Sequence, residues 1–207
     1  MTDVEILIFI SCFPHIHQTE SSQRMCGIGL LLQRWKKDDK EAQQRAEKER
    51  EEWKRSARRE LQRRGPDLQN EIDFDLHFQH ENDDEITIHL SLLSSILSLR
   101  GVSGDVSTSS ITSQPISFAT SDGEESLLMW NGEVFHSFLT PPLSPSDNDG
   151  LWLSRQLSSH LGVSSDRKAQ DKSLSQCMSL VDGPFAFVVI QVCFLSLILI
   201  LIENPDF

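Results

Sequence analysis

The sequence predicts an α+β domain built in layers, on three observations. A long charged helical stretch without Gly or Pro covers about residues 35–62, runs of period-two alternation follow it, and a second helical pattern covers Leu151–Leu161. With 207 residues, 38% of them hydrophobic, the chain can bury one sizeable core, which excludes a collagen-like or wholly disordered chain.

The elements follow in order. Met25-Cys26-Gly27-Ile28-Gly29-Leu30-Leu31-Leu32 is a short apolar run that suits a buried strand. In the helix, Ala42, Ala46, Trp53, Ala57 and Leu61 fall four or seven apart and so share one stripe. Arg64-Gly65-Pro66-Asp67 stops it, because Pro cannot continue a helix and Gly accepts left-handed geometry. Ile72, Phe74, Leu76 and Phe78 alternate with polar residues, as do Ile86, Ile88, Leu90 and Leu92, and Asn82-Asp83-Asp84 between them predicts an antiparallel pair. Gly101–Ser113 reads as a loop, Leu127–Trp130 as a strand broken by Asn131-Gly132, and the proline-rich stretch 140–150 as a second loop. After the turn Asp182-Gly183-Pro184, the run Phe185–Ile190 reads as a buried strand.

The two ends read differently. Residues 1–24 form an extension whose short apolar stretch Ile6–Ile10 lacks the positive flank and length of a secretory signal. From Phe185 to Ile202 there are 18 uncharged residues, the lower limit for a membrane span, but acidic residues flank them on both sides. A core strand running into an apolar tail over 192–207 is the expected reading, with a membrane-anchored protein as the minority one.

Nineteen Lys and Arg against 31 Asp and Glu give a net charge of −12, which argues against nucleic acid and anionic membranes as partners. The charge is uneven: Arg34–Arg64 holds 13 basic and 8 acidic residues. Such a segment is either a solvated helix face or a binding surface for an acidic partner, a protein or RNA. Cys12, Cys26, Cys177 and Cys193 show no close spacing, so neither a disulfide scaffold nor a zinc cluster is expected, and a reduced cytoplasmic protein is. The scattered histidines predict no metal site.

Cys26 follows a methionine directly. Were the chain to begin at Cys26, its α-amino group, with a reference pKa of about 8, could serve as base toward its own thiol. Further motifs follow in order: Arg63-Arg64-Gly65-Pro66-Asp67, Leu99-Arg100-Gly101, Thr112-Ser113-Gln114-Pro115, Trp130-Asn131-Gly132-Glu133-Val134-Phe135 and Asp182-Gly183-Pro184-Phe185-Ala186-Phe187. Together they resemble the class II glutamine amidotransferase domain of the asparagine synthetase family, over about residues 25–191.

The resemblance implies an N-terminal-nucleophile hydrolase fold, an αββα sandwich of antiparallel sheets. It implies that Cys26 attacks the side-chain amide of L-glutamine, forms a γ-glutamyl thioester and releases ammonia for asparagine biosynthesis. Asn131 and the Gly132 N–H match the family's oxyanion hole, whose donors contribute about 3–4 kcal/mol each. Arg100 matches the arginine that holds the α-carboxylate, Asp149 the aspartate that takes the α-ammonium, and Glu133 an adjacent binding-site glutamate. The glutaminase step needs no metal or cofactor; ATP and magnesium belong to a synthetase half that this sequence lacks. Three departures temper these expectations. Residues 1–24 precede Met25 and would leave the Cys26 nitrogen an amide. Val192–Phe207 does not continue the family's strands, so the sandwich is expected to be incomplete at its C-terminal end. The 207 residues hold no stretch expected to form a synthetase domain. The alternative is a catalytically inactive interaction protein that keeps the fold and binds through the helix at 35–62.

Overall fold

The computed structural model describes residues 6–10, 27–62, 68–79, 85–96, 112–144, 147–161, 167–183, 185–193 and 196–203. Two four-stranded antiparallel sheets form its centre. The first holds β1 (Ile6–Ile10), β2 (Gly27–Lys36), β3 (Leu68–Gln79) and β4 (Glu85–Ile96) in the order β1-β2-β4-β3. The second holds β5 (Ile116–Ala119), β6 (Glu125–Gly132), β9 (Phe185–Cys193) and β10 (Ser196–Glu203) in the order β10-β9-β6-β5. A small pair, β7 (His136–Ser137) and β8 (Val181–Asp182), lies apart from them, and the helices are α1 (Lys40–Gln62), α2 (Asp149–His160) and α3 (Arg167–Met178).

Strand alternation sorts the apolar side chains into layers. Ile28 and Leu30 of β2 and Leu90 and Leu92 of β4 face Met129 of β6 and Ala186, Val188 and Ile190 of β9, which makes the core between the sheets. On the other face of the first sheet, Leu31 and Leu93 meet Trp53, Ala57 and Leu61 of α1, while Trp35 meets Ala42 and Ala46. On the other face of the second sheet, Leu128, Trp130, Phe187 and Val189 pack with Trp152, Leu153 and Leu157 of α2 and with Leu174, Cys177 and Met178 of α3. The protein is thus mixed α+β, with helices on the outer face of each sheet. Apolar residues on both faces of β6 and β9 follow from that placement, since a strand sandwiched twice has no face left for water.

Several elements differ in extent from the sequence reading. Trp35 and Lys36 belong to β2, and the helix starts at Lys40, where the Asp39 carboxylate accepts from the Ala42 N–H at 2.9 Å and caps it. Asn131 and Gly132 do not break the strand: β6 continues through them, opposite Ala186 and Phe185 of β9. At the chain ends, Ile6–Ile10 pairs with Ile28–Leu32, and the stretch expected as a loose tail supplies β10, paired with β9 from Ser196–Cys193 to Glu203–Ala186. The apolar run 185–202 therefore supplies two antiparallel strands, β9 and β10, and among the described residues no helix is long and apolar enough to cross a membrane.

Helix α1 is less of a solvated rod than its charge suggests. Lys54 is buried, donates to Asp73 and forms an ion pair with Glu71 at 2.8 Å, while Arg58 clamps Glu71 from the other side at 2.6 and 2.9 Å. Ser91 hydrogen-bonds Asp73, and the His89 ring, stacked on Trp35, lies between Asp75 and the Ser91 hydroxyl. Burial pushes Glu71 and Asp73 upward, but their bonds to Lys54, and to Arg58 or Ser91, outweigh it and hold both below the usual carboxylate range. Lys54 is the mirror case: burial lowers it, and its two carboxylate partners carry it above its ordinary value.

Candidate functional site

The end of β6 gathers the described site residues. Asn131 is buried and, two residues beyond Met129, shares the strand face that packs on the first sheet. Gly132 closes the strand, and its carbonyl accepts from the Trp130 indole N–H at 3.1 Å. The Trp130 ring stacks on Phe185 at 5.3 Å, which fixes the strand end against β9.

From α2 comes the acidic member. Asn148 caps the helix by accepting from the Leu151 N–H, and Asp149, in the first turn, is buried with its Oδ2 accepting from the Val134 N–H at 2.8 Å. A carboxylate in a helix's first turn is favoured by the partial positive charge of the helix start. Gly150 next to it permits close approach: a Cβ there would sit 3.0 Å from Ile116 Cδ1 and 3.7 Å from Trp130 Cβ. The Asp182-Gly183 turn supports the same segment from below, with the Asp182 carbonyl accepting from the Phe135 N–H at 2.8 Å.

The Val134–Asp149 bond thus brings Asp149 to the segment that directly follows Asn131-Gly132-Glu133, 15 positions away in sequence. Cys26 and Arg100 lie outside the described residues, as does the motif Arg63–Asp67. What is described near Cys26 is the start of β2: Gly27 pairs with Ser95 of β4. Its neighbour Ser94 donates to the Gln114 carbonyl at 3.0 Å, and the Gln114 side chain accepts from the Trp130 N–H at 2.7 Å. The end of the first sheet that holds Gly27 is therefore tied to the end of the second that holds Asn131. A cleft of about 380 Å³ lies between α1 and the first sheet, lined by Arg58, Leu61, Asn70, Glu71, Leu93 and Ser94 among others, and neither Asn131 nor Asp149 lines it. Its volume lies in the range of small-ligand pockets.

No family model, curated protein or solved structure matches this chain.

The chemistry available at the end of β6 is that of buried polar groups. It has an amide side chain that can donate, a backbone N–H at a glycine, and a carboxylate held by a backbone donor. Among the described residues no group of three or more His, Cys, Asp and Glu side chains converges closely enough to hold a metal ion. Cys177 is no rival nucleophile: burial against α2 and the second sheet pushes its thiol up to about 11, so little thiolate forms near neutrality. Sequence reading passed over Gln114's contacts and the Lys54 network. Gln114 could have been flagged as a polar residue just before a proline at the mouth of a strand; Lys54 gave no signal, being one charge in a charged helix.

Proposed function

We propose that the chain is a glutamine amidotransferase domain of asparagine-synthetase type with an N-terminal-nucleophile fold. The observation that carries this is the meeting of Asn131-Gly132-Glu133 with Asp149 through the 2.8 Å Val134–Asp149 bond, at the sheet end where β2 begins after Cys26. In this reading the Cys26 thiolate attacks the glutamine side-chain carbonyl. The negative charge that develops on its oxygen is met by the Asn131 amide and the Gly132 N–H. The C–N bond breaks, ammonia leaves with a proton returned by the Cys26 α-amine, and water hydrolyses the thioester to glutamate. Asp149, oriented by Val134, takes the substrate ammonium, Glu133 lies beside it, and Arg100 takes the carboxylate with its bidentate fork. A reduced, cytoplasmic setting suits a thiol nucleophile.

One observation favours a second reading. β1 pairs with β2 along five residues, so the chain ahead of Cys26 is built into the first sheet. If that connection stays intact, the Cys26 nitrogen is an amide, and the chain is an inactive interaction protein that keeps the fold. Its partner would meet the outward, mixed-charge face of α1.

Glutamate and ammonia release from the full chain and from a chain beginning at Cys26 separates the two, with intact mass fixing each N-terminus. The glutaminase reading expects turnover in the chain beginning at Cys26, none after Cys26→Ala, and none in the full chain while it remains uncut. If the chain beginning at Cys26 folds yet neither binds nor hydrolyses glutamine, that reading falls.

A further inference from the structure

Gln114 has no role in the mechanism above, yet its contacts join the two sheets. β5 pairs with β6 from Ile116–Leu128 to Ala119–Glu125 and stops there. Two residues further along β6, the Trp130 N–H lies past the last strand carbonyl that β5 offers. Gln114 Oε1 takes that place and accepts it at 2.7 Å, so a side chain extends the ladder by one bond. Pro115 follows Gln114 and brings no N–H of its own to this edge. The backbone carbonyl of the same residue accepts from Asn70 Nδ2 of β3 at 2.8 Å and from Ser94 Oγ of β4 at 3.0 Å. Gln114 is 7% exposed, Ser94 2% and Trp130 5%, so water does not compete freely for these bonds.

We infer that Gln114 is a positioning residue that sets the Asn131-Gly132 segment of β6 against the sheet end where β2 begins. The inference rests on the glutaminase reading for its catalytic consequence and on the geometry alone for its mechanical one. A buried N–H that loses its acceptor is left with an uncompensated desolvation cost, so β6 would fray from Trp130 onward. Asn131 and Gly132, next in line, would lose their aim, and a donor misplaced by about 1 Å from a developing oxyanion costs on the order of 100-fold in rate.

The test compares wild type, Gln114→Glu and Gln114→Met. Glutamate keeps an oxygen acceptor at the same reach, whereas methionine keeps the volume without it. Amide hydrogen exchange at Trp130 and Asn131 is read in the full chain, and glutamine turnover in whichever form is active. In Gln114→Met, exchange at Trp130 is expected to rise about 10-fold or more. In the same variant kcat should fall at least as far, with KM little changed. Gln114→Glu should restore both. Equal loss in the Met and Glu variants would overturn the inference, because packing rather than the acceptor would then matter; so would faster exchange with unchanged kcat. If wild type hydrolyses no glutamine, the functional reading fails, and the exchange data alone decide whether Gln114 holds the strand. Should Gln114→Met not fold, Ser94→Ala replaces it, since it removes one of the two side-chain bonds to the Gln114 carbonyl, the other coming from Asn70, without touching the Gln114 side chain. Faster exchange at Trp130 in Ser94→Ala supports the inference, and unchanged exchange overturns it.

Discussion

Replacing Gly183 by alanine is expected to remove most of the protein's stability. The residue sits at φ +143°, a region L side chains rarely adopt, and a Cβ there would lie 2.0 Å from the Glu133 carbonyl oxygen and 3.2 Å from the Phe135 nitrogen. Both obstacles are backbone, so no rotamer change relieves them. The turn or the β6 end must move, and the bond from the Phe135 N–H to the Asp182 carbonyl is lost with it. Strain and a lost backbone bond together put the cost at about 4 kcal/mol or more, a large share of the stability of a single domain. Gly123 is the internal control. It too has positive φ, +87°, but a Cβ there would meet nothing within 4 Å, so Gly123→Ala carries only the backbone term of about 1 kcal/mol. Urea unfolding midpoints of the two variants should differ accordingly; equal midpoints would show that the Gly183 turn accommodates a side chain.

The second large effect concerns Lys54. Replacing it with methionine removes the cation between Glu71 and Asp73 and leaves two carboxylates facing each other under α1. Breaking a fully buried pair typically costs 3–5 kcal/mol; because the side chains of Glu71 and Asp73 are 27% and 37% exposed, about 2 kcal/mol is expected here. The pH dependence gives a sharper test. Both carboxylates are held below their ordinary 4.5 and 3.8, so at mildly acidic pH the unfolded chain binds more protons than the folded one. Their contribution is complete above the unfolded values and disappears as pH falls through the lowered folded ones. Lys54, held above its ordinary 10.5, stabilises below that value, and its contribution is lost as pH rises through the folded one. Wild type minus Lys54→Met, followed by denaturant unfolding across pH, should therefore be a plateau that declines at both ends. A difference that stays flat into acid would mean that the bridge does not form in solution. Asp75 and His89 face the same network from the neighbouring strands and are common to both proteins, so the subtraction reduces their share.

What could be read from the sequence was what repeats. The helix stripe from Ala42 to Leu61 is buried as the spacing required, and the alternation over Ile72–Phe78 and Ile86–Leu92 became paired strands because one face of each meets apolar neighbours. β1 and β10 were missed for a physical reason. Ile6–Ile10 and Leu197–Ile202 have no alternation to count, and a short unbroken apolar run looks the same as a strand, a buried helix segment or a tail. In α3 the residues that reach the core, Leu174, Cys177 and Met178, crowd its C-terminal half, too few to make a stripe. The site was partly legible. Asn131-Gly132 carries a turn signal that pairing with β9 overrides, and the approach of Asp149 to Val134 is a tertiary contact that no local pattern encodes.

The edge strands have a colloidal consequence. Gln114 ties β3 and β4 to the β5 side of the second sheet, so β3 and β5 share one flank and β1 and β10 the other. Neither Ile6–Ile10 nor Leu197–Ile202 contains a charge or a proline, the usual devices that keep sheet edges from pairing with another molecule. Mutual repulsion from a net charge of −12 acts to hold copies apart. That repulsion extends about 30 Å at 0.01 M salt and only about 8 Å at 0.15 M. Self-association should therefore strengthen as salt is added, opposite to the behaviour of particles that meet through ion pairs. Light scattering across a salt series reads the sign directly, and a lysine in place of Ile200 should abolish the trend.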